Sequence, residues 1–347
     1  MRAVVVEQFE QEPTVQVVPD PDPPPGGVVV AVEVTGLCRS DWHAWAGHDP
    51  DVVLPHVPGH ELAGTVVALG TGVGTVRVGQ RVTTPFVMAC GTCDPCRAGQ
   101  QQVCLRQQQP GFTRWGSFAE QVVVEHAAVN LVPLPDEVGS DVAALLGCRF
   151  ATAFRAVHAV GRLRAGERVA VHGCGGVGLS AVMVAVAAGA RVVAVDPSPV
   201  ARELARSMGA EVAVDPGADP WQQVAEQVRD ASGGGVHLSL DALGSEATCA
   251  ASLAGLRVRG RHVQVGLLPS VLGAPRVPLH LVVGGELELL GSHGMAAHDY
   301  PQLLSLVTAG LLRPERLVTR TIGLDEAGAA LAAMGDAAGS GVTLVRP

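Results

Sequence analysis

The stretch Val169-Ala-Val-His-Gly173-Cys-Gly175-Gly176-Val-Gly178 decides the fold of this chain. An apolar strand precedes its glycines and a helix-length segment follows them, and this context gives the pattern weight. Gly173 permits a tight turn, Gly175 lets the backbone approach a pyrophosphate, and Gly178 lets helix and strand pack closely. The following helix N-terminus offers free N–H groups to phosphate. The alternative is an ordinary glycine-rich turn. The loop residues expected at a dinucleotide are Gly173, Gly175, Gly176, Val177 and Gly178.

Asp196 ends the next apolar run, Arg191-Val-Val-Ala-Val, 18 positions after Gly178. A carboxylate at this place accepts both ribose hydroxyls of NAD and repels the 2′-phosphate of NADP. The segment that follows is Pro-Ser-Pro, and no arginine occurs before Arg202 to neutralise a phosphate. The sequence therefore favours NAD as the cofactor.

Outward from this loop, apolar strands alternate with helix-length segments, which is typical of βαβ units and a doubly wound parallel sheet. The alternation begins with a strand at Val169–His172 and a helix over Leu179–Ala188. It continues with a strand at Arg191–Val195 and a helix over Pro199–Met208. Further strands are predicted at Leu238–Leu240, Arg261–Val265 and Leu287–Leu290.

Residues 1 to about 148 have a different texture, with short Val-rich runs separated by Gly and Pro clusters. Such runs predict a barrel-like β unit with long loops. The last fifty-odd residues are mixed, with helices expected over Tyr300–Ala309 and Leu324–Met334 and a closing strand at Val342–Val345. The Val-rich strands are predicted at Val4–Val6, Val15–Val18, Val28–Val34, Thr65–Leu69 and Gln121–Val124.

Composition narrows the class of protein. With 347 residues, 48% of them hydrophobic and 16% charged, the chain can form two domains with separate cores. A net charge of -9 argues against nucleic-acid binding. The sequence has no lysine, which excludes Schiff-base chemistry.

The N-terminus has no secretory signal and the apolar stretches are too short to span a bilayer, so a cytoplasmic location is expected. Cysteines there are more often ligands than disulfides.

Four cysteines, Cys90, Cys93, Cys96 and Cys104, fall within 15 residues. Four thiolates in a short lobe shaped by Gly and Pro suit one tetrahedral zinc ion, and a zinc with no open position is structural. A redox-active CxxC pair and an iron–sulfur cluster are the alternatives. The spacing indicates a structural zinc site.

A second metal site is predicted from Cys38, His60 and Cys148. Each residue alone has an ordinary interpretation as a buried cysteine or a hydrogen-bonded histidine. Together, beside a nucleotide fold, they supply two sulfurs and one imidazole, which leave a fourth zinc position for water or substrate. That is the pattern of a catalytic zinc. The remaining cysteines, Cys174 and Cys249, are interpreted as small apolar fillers.

At these residues the chain resembles the zinc-dependent medium-chain alcohol dehydrogenase family. The resemblance covers the whole chain and rests on several independent motifs in the family's order: Cys38-Arg-Ser-Asp-Trp-His43, Gly59-His-Glu-Leu-Ala-Gly64, the four-cysteine lobe, Gly147-Cys148 and the loop 173–178. It implies a GroES-like catalytic domain from residues 1–148 and 292–347. A Rossmann NAD-binding domain is expected from residues 149–291.

The resemblance also implies roles for individual residues. Cys38, His60 and Cys148 would hold the catalytic zinc, with Glu61 close behind or binding it transiently. Asp41 would orient His60 through the other ring nitrogen. Ser40 and His43 match the family's proton relay, and Arg39 matches a position that contacts the cofactor pyrophosphate.

The reaction implied is hydride transfer between NAD(H) and a primary or secondary alcohol or its carbonyl product. Members that prefer polyols often have Glu in place of Cys148, so this chain favours simple alcohols. A polyol or sugar dehydrogenase of the same family is the alternative, and a nucleotide-binding protein that has lost the chemistry is another. The candidates for the substrate pocket wall are Trp42, Trp45, Phe86 and Trp115.

The expected cofactors are NAD(H) and two zinc ions per subunit, and the expected partner is a small alcohol or carbonyl compound. A homo-oligomer is expected by analogy, a tetramer rather than a dimer. The strand at Leu287–Leu290 is the candidate for pairing across a subunit axis.

Overall fold

The computed structural model describes residues 1–268, 274–335 and 341–347. Contacts divide the chain into two compact units. The first unit consists of Met1–Ala151 and Gly294–Pro347, and the second of Thr152–His293.

Strands and helices alternate along the described residues as follows. The strands are β1 (Arg2–Val5), β2 (Thr14–Val17), β3 (Val28–Leu37), β4 (Leu62–Leu69), β5 (Arg81–Thr83), β6 (Gln121–Val124), β7 (Val132–Pro133), β8 (Arg168–His172), β9 (Arg191–Val195), β10 (Val212–Val214), β11 (Val236–Asp241), β12 (Leu256–Gln264), β13 (Glu288–Gly291), β14 (Val318–Gly323) and β15 (Val342–Arg346). The α-helices are α1 (Arg39–Trp45), α2 (Asp94–Arg97), α3 (Ala127–Asn130), α4 (Ser140–Leu145), α5 (Ala151–Arg155), α6 (Gly176–Ala187), α7 (Pro199–Ser207), α8 (Trp221–Ala231), α9 (Glu246–Ala254), α10 (Leu279–Gly285), α11 (Tyr300–Thr308) and α12 (Leu324–Ala332). Two π-helical turns, Leu146–Phe150 and Ala156–Val160, follow α4 and α5.

The second unit contains a six-stranded sheet in the order β10-β9-β8-β11-β12-β13, and all its neighbouring strands are parallel. Counted from β8, this is the order 3-2-1-4-5-6 of a doubly wound dinucleotide-binding sheet. Val169 and Val171 of β8 are fully buried, as a central parallel strand covered on both faces requires. The predicted parallel Rossmann-type sheet is confirmed.

The first unit is built around β3, the longest strand, which pairs antiparallel with β4, β6 and β15. These pairings belong to a seven-stranded sheet, while β1 and β2 form a separate two-stranded ribbon. Alternate valines of β3, such as Val28 and Val30, pack with Leu62 and Val82 in the core. The predicted β-rich unit is therefore confirmed, and the C-terminal strand β15 is part of its sheet.

Helix α1 was not predicted, and it carries most of the residues assigned to proton transfer. The helix begins immediately after Cys38, where β3 ends. The Asp41 carboxylate accepts the backbone N–H of Cys38 at 2.9 Å and so closes the first turn. Ser40 and His43 are three positions apart on this helix and therefore share a face.

One helical stretch, Ser140–Val160, has the length and apolar composition to cross a membrane, so the expectation that every apolar stretch is too short to do so was wrong. Of its residues in the apolar window, 78% are buried by the protein itself. That burial is the property of a core helix, and length and composition alone are weak indications of a membrane span.

Candidate metal centres and nucleotide loop

Four side chains of the first unit converge on one point. The donor atoms of Cys38, His60, Glu61 and Cys148 all lie within 4.8 Å of one another. Cys38 stands between β3 and α1, His60 and Glu61 directly precede β4, and Cys148 lies in the π-helical turn after α4. Three separate segments thus place two sulfurs, one imidazole and one carboxylate around a common centre.

His60 is held by a carboxylate through one ring nitrogen and leaves the other open. Its Nδ1 lies 2.8 Å from Oδ1 of Asp41, which also accepts the backbone N–H of Gly59 at 3.0 Å. The Nε2 atom is buried and has no hydrogen-bond partner among the described residues. A metal-binding histidine is expected to have one buried ring nitrogen without a hydrogen-bond partner, while a carboxylate holds the other ring nitrogen and orients the ring.

Charge at this centre is adjusted by burial and by the close contacts. Burial opposes protonation of His60, but Asp41 outweighs it and raises the pKa of the imidazole well above its ordinary value. A hydrogen bond from the Cys148 thiol holds the pKa of Cys38 well below its ordinary value, although burial acts the other way. Thiolate and imidazole nitrogen are both ligands that zinc favours, and a metal ion at Nε2 would replace the proton there.

Glu61 is bound by Arg149, a residue that was not predicted as part of the site. The Arg149 Nε donates to Oε1 of Glu61 at 2.9 Å, and Nη2 donates to Oε2. The backbone N–H of Arg149 also donates to Oε1 at 3.0 Å, and both side chains are buried. Burial raises the pKa of Glu61 although Arg149 acts to lower it. Glu61 is therefore a fixed carboxylate within the donor cluster, neutralised by the residue next to Cys148.

The four-cysteine lobe also brings its sulfurs together, with all four Sγ atoms within 4.8 Å of one another. The Cys93 Sγ lies 3.3 Å from that of Cys96 and 3.7 Å from that of Cys104. A tetrahedron with Zn–S bonds of about 2.3 Å has edges of roughly 3.8 Å, so these separations fit a single zinc ion.

N–H groups point at the sulfurs of Cys90 and Cys104 in the four-cysteine lobe. The backbone N–H of Thr92 and the Arg106 guanidinium donate to the Cys90 sulfur at 3.5 and 3.3 Å. These contacts lower the pKa of Cys90 to about 4. The Cys104 sulfur accepts the backbone N–H groups of Cys90 and Arg106. Arg106 was not recognised from sequence, because an arginine after a cysteine cluster carries no signal of its own.

In the second unit, the glycine loop is shaped for a phosphate-bearing ligand. Gly173 has φ of +87°, which favours glycine. A Cβ on Gly178 would lie 1.7 Å from the carbonyl oxygen of Gly173, so only glycine allows this helix–strand contact. A Cβ on Gly175 would meet nothing within 4 Å, which leaves room for a pyrophosphate against the backbone. Helix α6 begins at Gly176 and includes Val177.

Asp196 lies directly after β9 and is fixed by two backbone donors. Its carboxylate accepts the N–H of Cys174 at 2.7 Å and that of Ser198 at 2.8 Å. The bond from Cys174 joins the end of β9 to the glycine loop. A carboxylate has about four acceptor sites, so acceptors remain for ribose hydroxyls.

Comparison with known proteins agrees with this geometry. Residues 24–136 match the model of the alcohol dehydrogenase GroES-like domain, and residues 176–309 match that of the zinc-binding dehydrogenases. An alcohol dehydrogenase of Geobacillus stearothermophilus is 35% identical over 90% of this chain and 90% of its own. The chain belongs to the zinc-dependent medium-chain alcohol dehydrogenase family.

Two solved structures of dehydrogenases have the same fold over the whole chain. The alcohol dehydrogenase TADH from Thermus sp. ATN1 is 33% identical with a TM-score of 0.89, covering 100% of this chain and 99% of the other. The 2R,3R-butanediol dehydrogenase from Bacillus subtilis is 27% identical with a TM-score of 0.86, covering 100% and 99%. The predicted family is thus confirmed, and the two donor clusters are consistent with its catalytic and structural zinc.

The residues assigned to proton transfer in this dehydrogenase lie on α1. The Ser40 Oγ is 3.8 Å from the Cys38 Sγ, beside the cluster of metal donors. His43 is exposed, and its Nδ1 lies 3.0 Å from Nδ1 of His48. Arg39 donates to the carbonyl of Met334 at 2.6 Å, and its guanidinium lies over the Trp42 ring, 5.2 Å from the centroid.

The four pocket candidates have different surroundings. The Phe86 ring is 6.3 Å from that of His60. Trp42 packs edge-on against His43, Trp45 donates its indole N–H to the carbonyl of Gln11, and Trp115 donates to that of Pro55. Of these four, Phe86 alone has a ring contact with a metal donor among the contacts of the described residues.

Phe112 was missed as a residue of this site. Its ring is buried, 5.3 Å from that of His60, closer than the Phe86 ring. The Gly111 backbone lies against Gly59, where an added Cβ would come within 2.7 Å of the Gly59 nitrogen. That close approach of two glycines sets Phe112 beside His60. No local sequence pattern marks these two glycines as neighbours.

Proposed function

We propose that this protein is an NAD-dependent zinc alcohol dehydrogenase that oxidises simple primary or secondary alcohols to aldehydes or ketones and catalyses the reverse reaction. The supporting observation is the donor cluster in which His60 has a buried, unpartnered Nε2 and is oriented by Asp41. We assign Cys38, His60 and Cys148 as the metal ligands. A set of three protein ligands is typical of a catalytic zinc site.

The groups that bind supply the electronic part of the reaction: zinc polarises the alcohol or carbonyl oxygen as a Lewis acid, and NAD accepts the hydride. The protein residues hold the reactants and remove the proton. Ser40, whose hydroxyl lies beside the metal donors, takes the alcohol proton at Oγ and gives up its own. His43, on the same face of α1, carries the proton toward solvent.

Two aromatic rings beside the centre support the proposed substrate class. Phe86 and Phe112 present rings next to His60, and rings favour alkyl groups over hydroxylated ones. Cys148 occupies the position where polyol-preferring members often carry Glu. A polyol or sugar dehydrogenase remains the second candidate.

The two substrate classes are separated by kinetics. With NAD, we expect kcat/KM for butan-2-ol to exceed that for sorbitol by at least about 100-fold, because aromatic rings beside His60 offer no hydrogen bonds to the extra hydroxyls of sorbitol. Equal or reversed specificity would replace the simple alcohol by a polyol as the substrate.

Preference for NAD rests on Asp196 and on the engagement of Arg202. Arg202 forms an ion pair with Asp215 at 2.8 Å and donates to the carbonyls of Asp196 and Pro197. Its side chain is 14% exposed, so it is committed within the second unit. The 2′-phosphate of NADP would be repelled by the Asp196 carboxylate. The Arg202 guanidinium would not offset this repulsion, because it is already bonded to Asp215 and to two carbonyls.

The Asp196→Asn variant is expected to lower the ratio of kcat/KM with NAD to kcat/KM with NADP by about 10- to 100-fold, since a hydrogen bond to a charged group contributes about 1.5–3 kcal/mol. The amide keeps one acceptor for the N–H of Cys174. Asp230→Asn, an exposed change on α8, is the control and should leave the ratio unchanged. An unchanged ratio in Asp196→Asn would remove this carboxylate from cofactor selection.

We also propose a cytoplasmic homotetramer. The strand β13 is an edge of its sheet, and edge strands readily pair with another chain. Its residues are mostly exposed in the single chain. Light scattering behind a sizing column at micromolar concentration measures the assembly, and a monomer would contradict the proposal.

A further inference from the structure

The turn after α1 places the His48 side chain next to that of His43. The helix ends at Trp45, and Gly47 has φ of +72°, the left-handed conformation common after a helix. The backbone N–H of His48 then donates to the carbonyl of His43 at 2.9 Å. This turn places the two Nδ1 atoms 3.0 Å apart, which is hydrogen-bond distance.

Trp42 and Phe9 pack around the His43–His48 pair, and both histidine rings remain exposed to solvent. Trp42 lies edge-on to both rings, with centroids 5.0 Å from His43 and 5.5 Å from His48. The Phe9 ring packs against Gly47, where an added Cβ would lie 3.2 Å from its Cγ. Both histidines are nevertheless exposed. The contact is therefore fixed in geometry and reaches water, as a proton exit requires.

We propose that His48 receives the proton from His43 and releases it to solvent during alcohol oxidation. This inference rests on the proposed function, because a proton must leave for each alcohol oxidised. His48 acts through His43 and is therefore a positioning and proton-transfer residue, not one that touches the substrate.

The step balances within the two rings. His43 begins neutral with its proton on Nδ1, which donates to the lone pair of His48 Nδ1, while His48 carries its proton on Nε2. His43 accepts the incoming proton at Nε2 and passes its Nδ1 proton to His48, which becomes the imidazolium. His48 then loses its Nε2 proton to water. Exchange with solvent at both exposed rings restores the starting tautomers.

The surroundings of His43 lower its pKa and so favour the neutral ring, the form that can accept a proton. Burial, then His48 and Arg39, lower the pKa of His43 below its ordinary value, and Cys38 acts in the opposite direction. Other charged groups near the pair are Asp49, the next residue, and Glu10, which lines a small cavity with His48 and Trp42. From α12 this cavity receives Ala332 and, just beyond the helix, Gly335, neither of which is charged. The lowered pKa favours the neutral ring of His43.

The test compares His48→Asn with the natural protein in alcohol oxidation at low buffer concentration and pH 7. We expect kcat to fall roughly tenfold, less than the 10²–10⁴-fold of a directly acting acid–base group. Adding 2,6-lutidine, a hindered base that binds metals poorly, should restore the rate in the variant and leave the natural protein unchanged. His298→Asn, an exposed histidine in the same unit, is the matched control.

A second readout does not depend on turnover. In an NMR titration of the histidine ring protons, His48→Asn should shift the pKa of His43, because the ring nitrogen that lies 3.0 Å from its Nδ1 is removed. A rate in His48→Asn equal to that of the control, with no response to lutidine, would overturn the role of His48. If the natural protein oxidises no alcohol, the proposed function has failed, and the titration still tests whether the pair is coupled.

Discussion

The Cys148→Ala variant is expected to lose one of two zinc ions per subunit and to lower kcat/KM for alcohol oxidation by at least about 10³-fold. Lewis-acid stabilisation by a metal contributes several kcal/mol to the transition state, and each 1.36 kcal/mol is about tenfold in rate. With Cys148 removed, Cys38 and His60 supply only two of the three assigned ligands. Metal analysis by mass spectrometry and initial rates with NAD provide the two measurements.

Cys249→Ala is the matched control for this experiment. Cys249 is buried in α9 of the second unit and belongs to neither cluster of metal donors among the described residues. We expect it to keep both zinc ions and most of the activity. If Cys148→Ala also kept two zinc ions and full activity, Cys148 would not be a ligand of the catalytic metal.

The Arg149→Leu variant is expected to destabilise the first unit by about 3–5 kcal/mol, because it leaves the Glu61 carboxylate buried and unpaired. Glu61 has no exposed surface, and Arg149 supplies three of its hydrogen bonds. The backbone N–H remains, but both guanidinium donors are lost. Thermal unfolding should show a decrease in Tm of roughly 10 °C, at about 2–4 °C per kcal/mol for a unit of this size.

Two further variants separate the buried charge from simple loss of a side chain. The double variant Glu61→Gln with Arg149→Met removes both charges and should recover much of the Tm, since neutral replacement of a buried pair costs little. Arg191→Leu breaks an exposed pair with Glu211 and should leave the Tm nearly unchanged. A Tm in Arg149→Leu no lower than in Arg191→Leu would contradict the account of the buried pair.

The sequence predicts the fold well where local patterns carry the information. Short Val-rich runs and the glycine loop depend on neighbours in sequence, and the strands β3, β8 and β9 lie where these patterns indicate. Helix α6 begins at Gly176, three residues before the apolar run chosen as its start. The glycines predicted to bind phosphate also form the first turn of the helix, so hydrophobicity alone places the start of the helix too late.

Parts of the site depend on contacts between distant residues, and these were not visible. Arg149 pairs with Glu61 across 88 positions, and no local pattern marks either residue as a partner. His48 meets His43 because of the left-handed turn at Gly47, although a turn there is compatible with many ring orientations. Phe112 reaches His60 through backbone packing of two glycines.

The aromatic candidates show the limit of proximity in sequence. Trp42 and Trp45 lie close to Cys38 along the chain, but a helix directs successive side chains to different sides. Trp45 consequently packs with the core beside β1 and α12, and Trp42 contacts the histidine pair. Motif spacing identified the donors well because metal ligation needs specific residue types, whereas a pocket wall needs only apolar surface.

The most direct test of the central claim is the rate of NADH formation at 340 nm from butan-2-ol by protein shown to carry two zinc ions per subunit. We predict sustained turnover with NAD that is lost when a chelator removes one zinc ion and returns when zinc is restored. Turnover that persists after that zinc is gone, or no turnover of any simple alcohol by the protein with both zinc ions, would contradict the account.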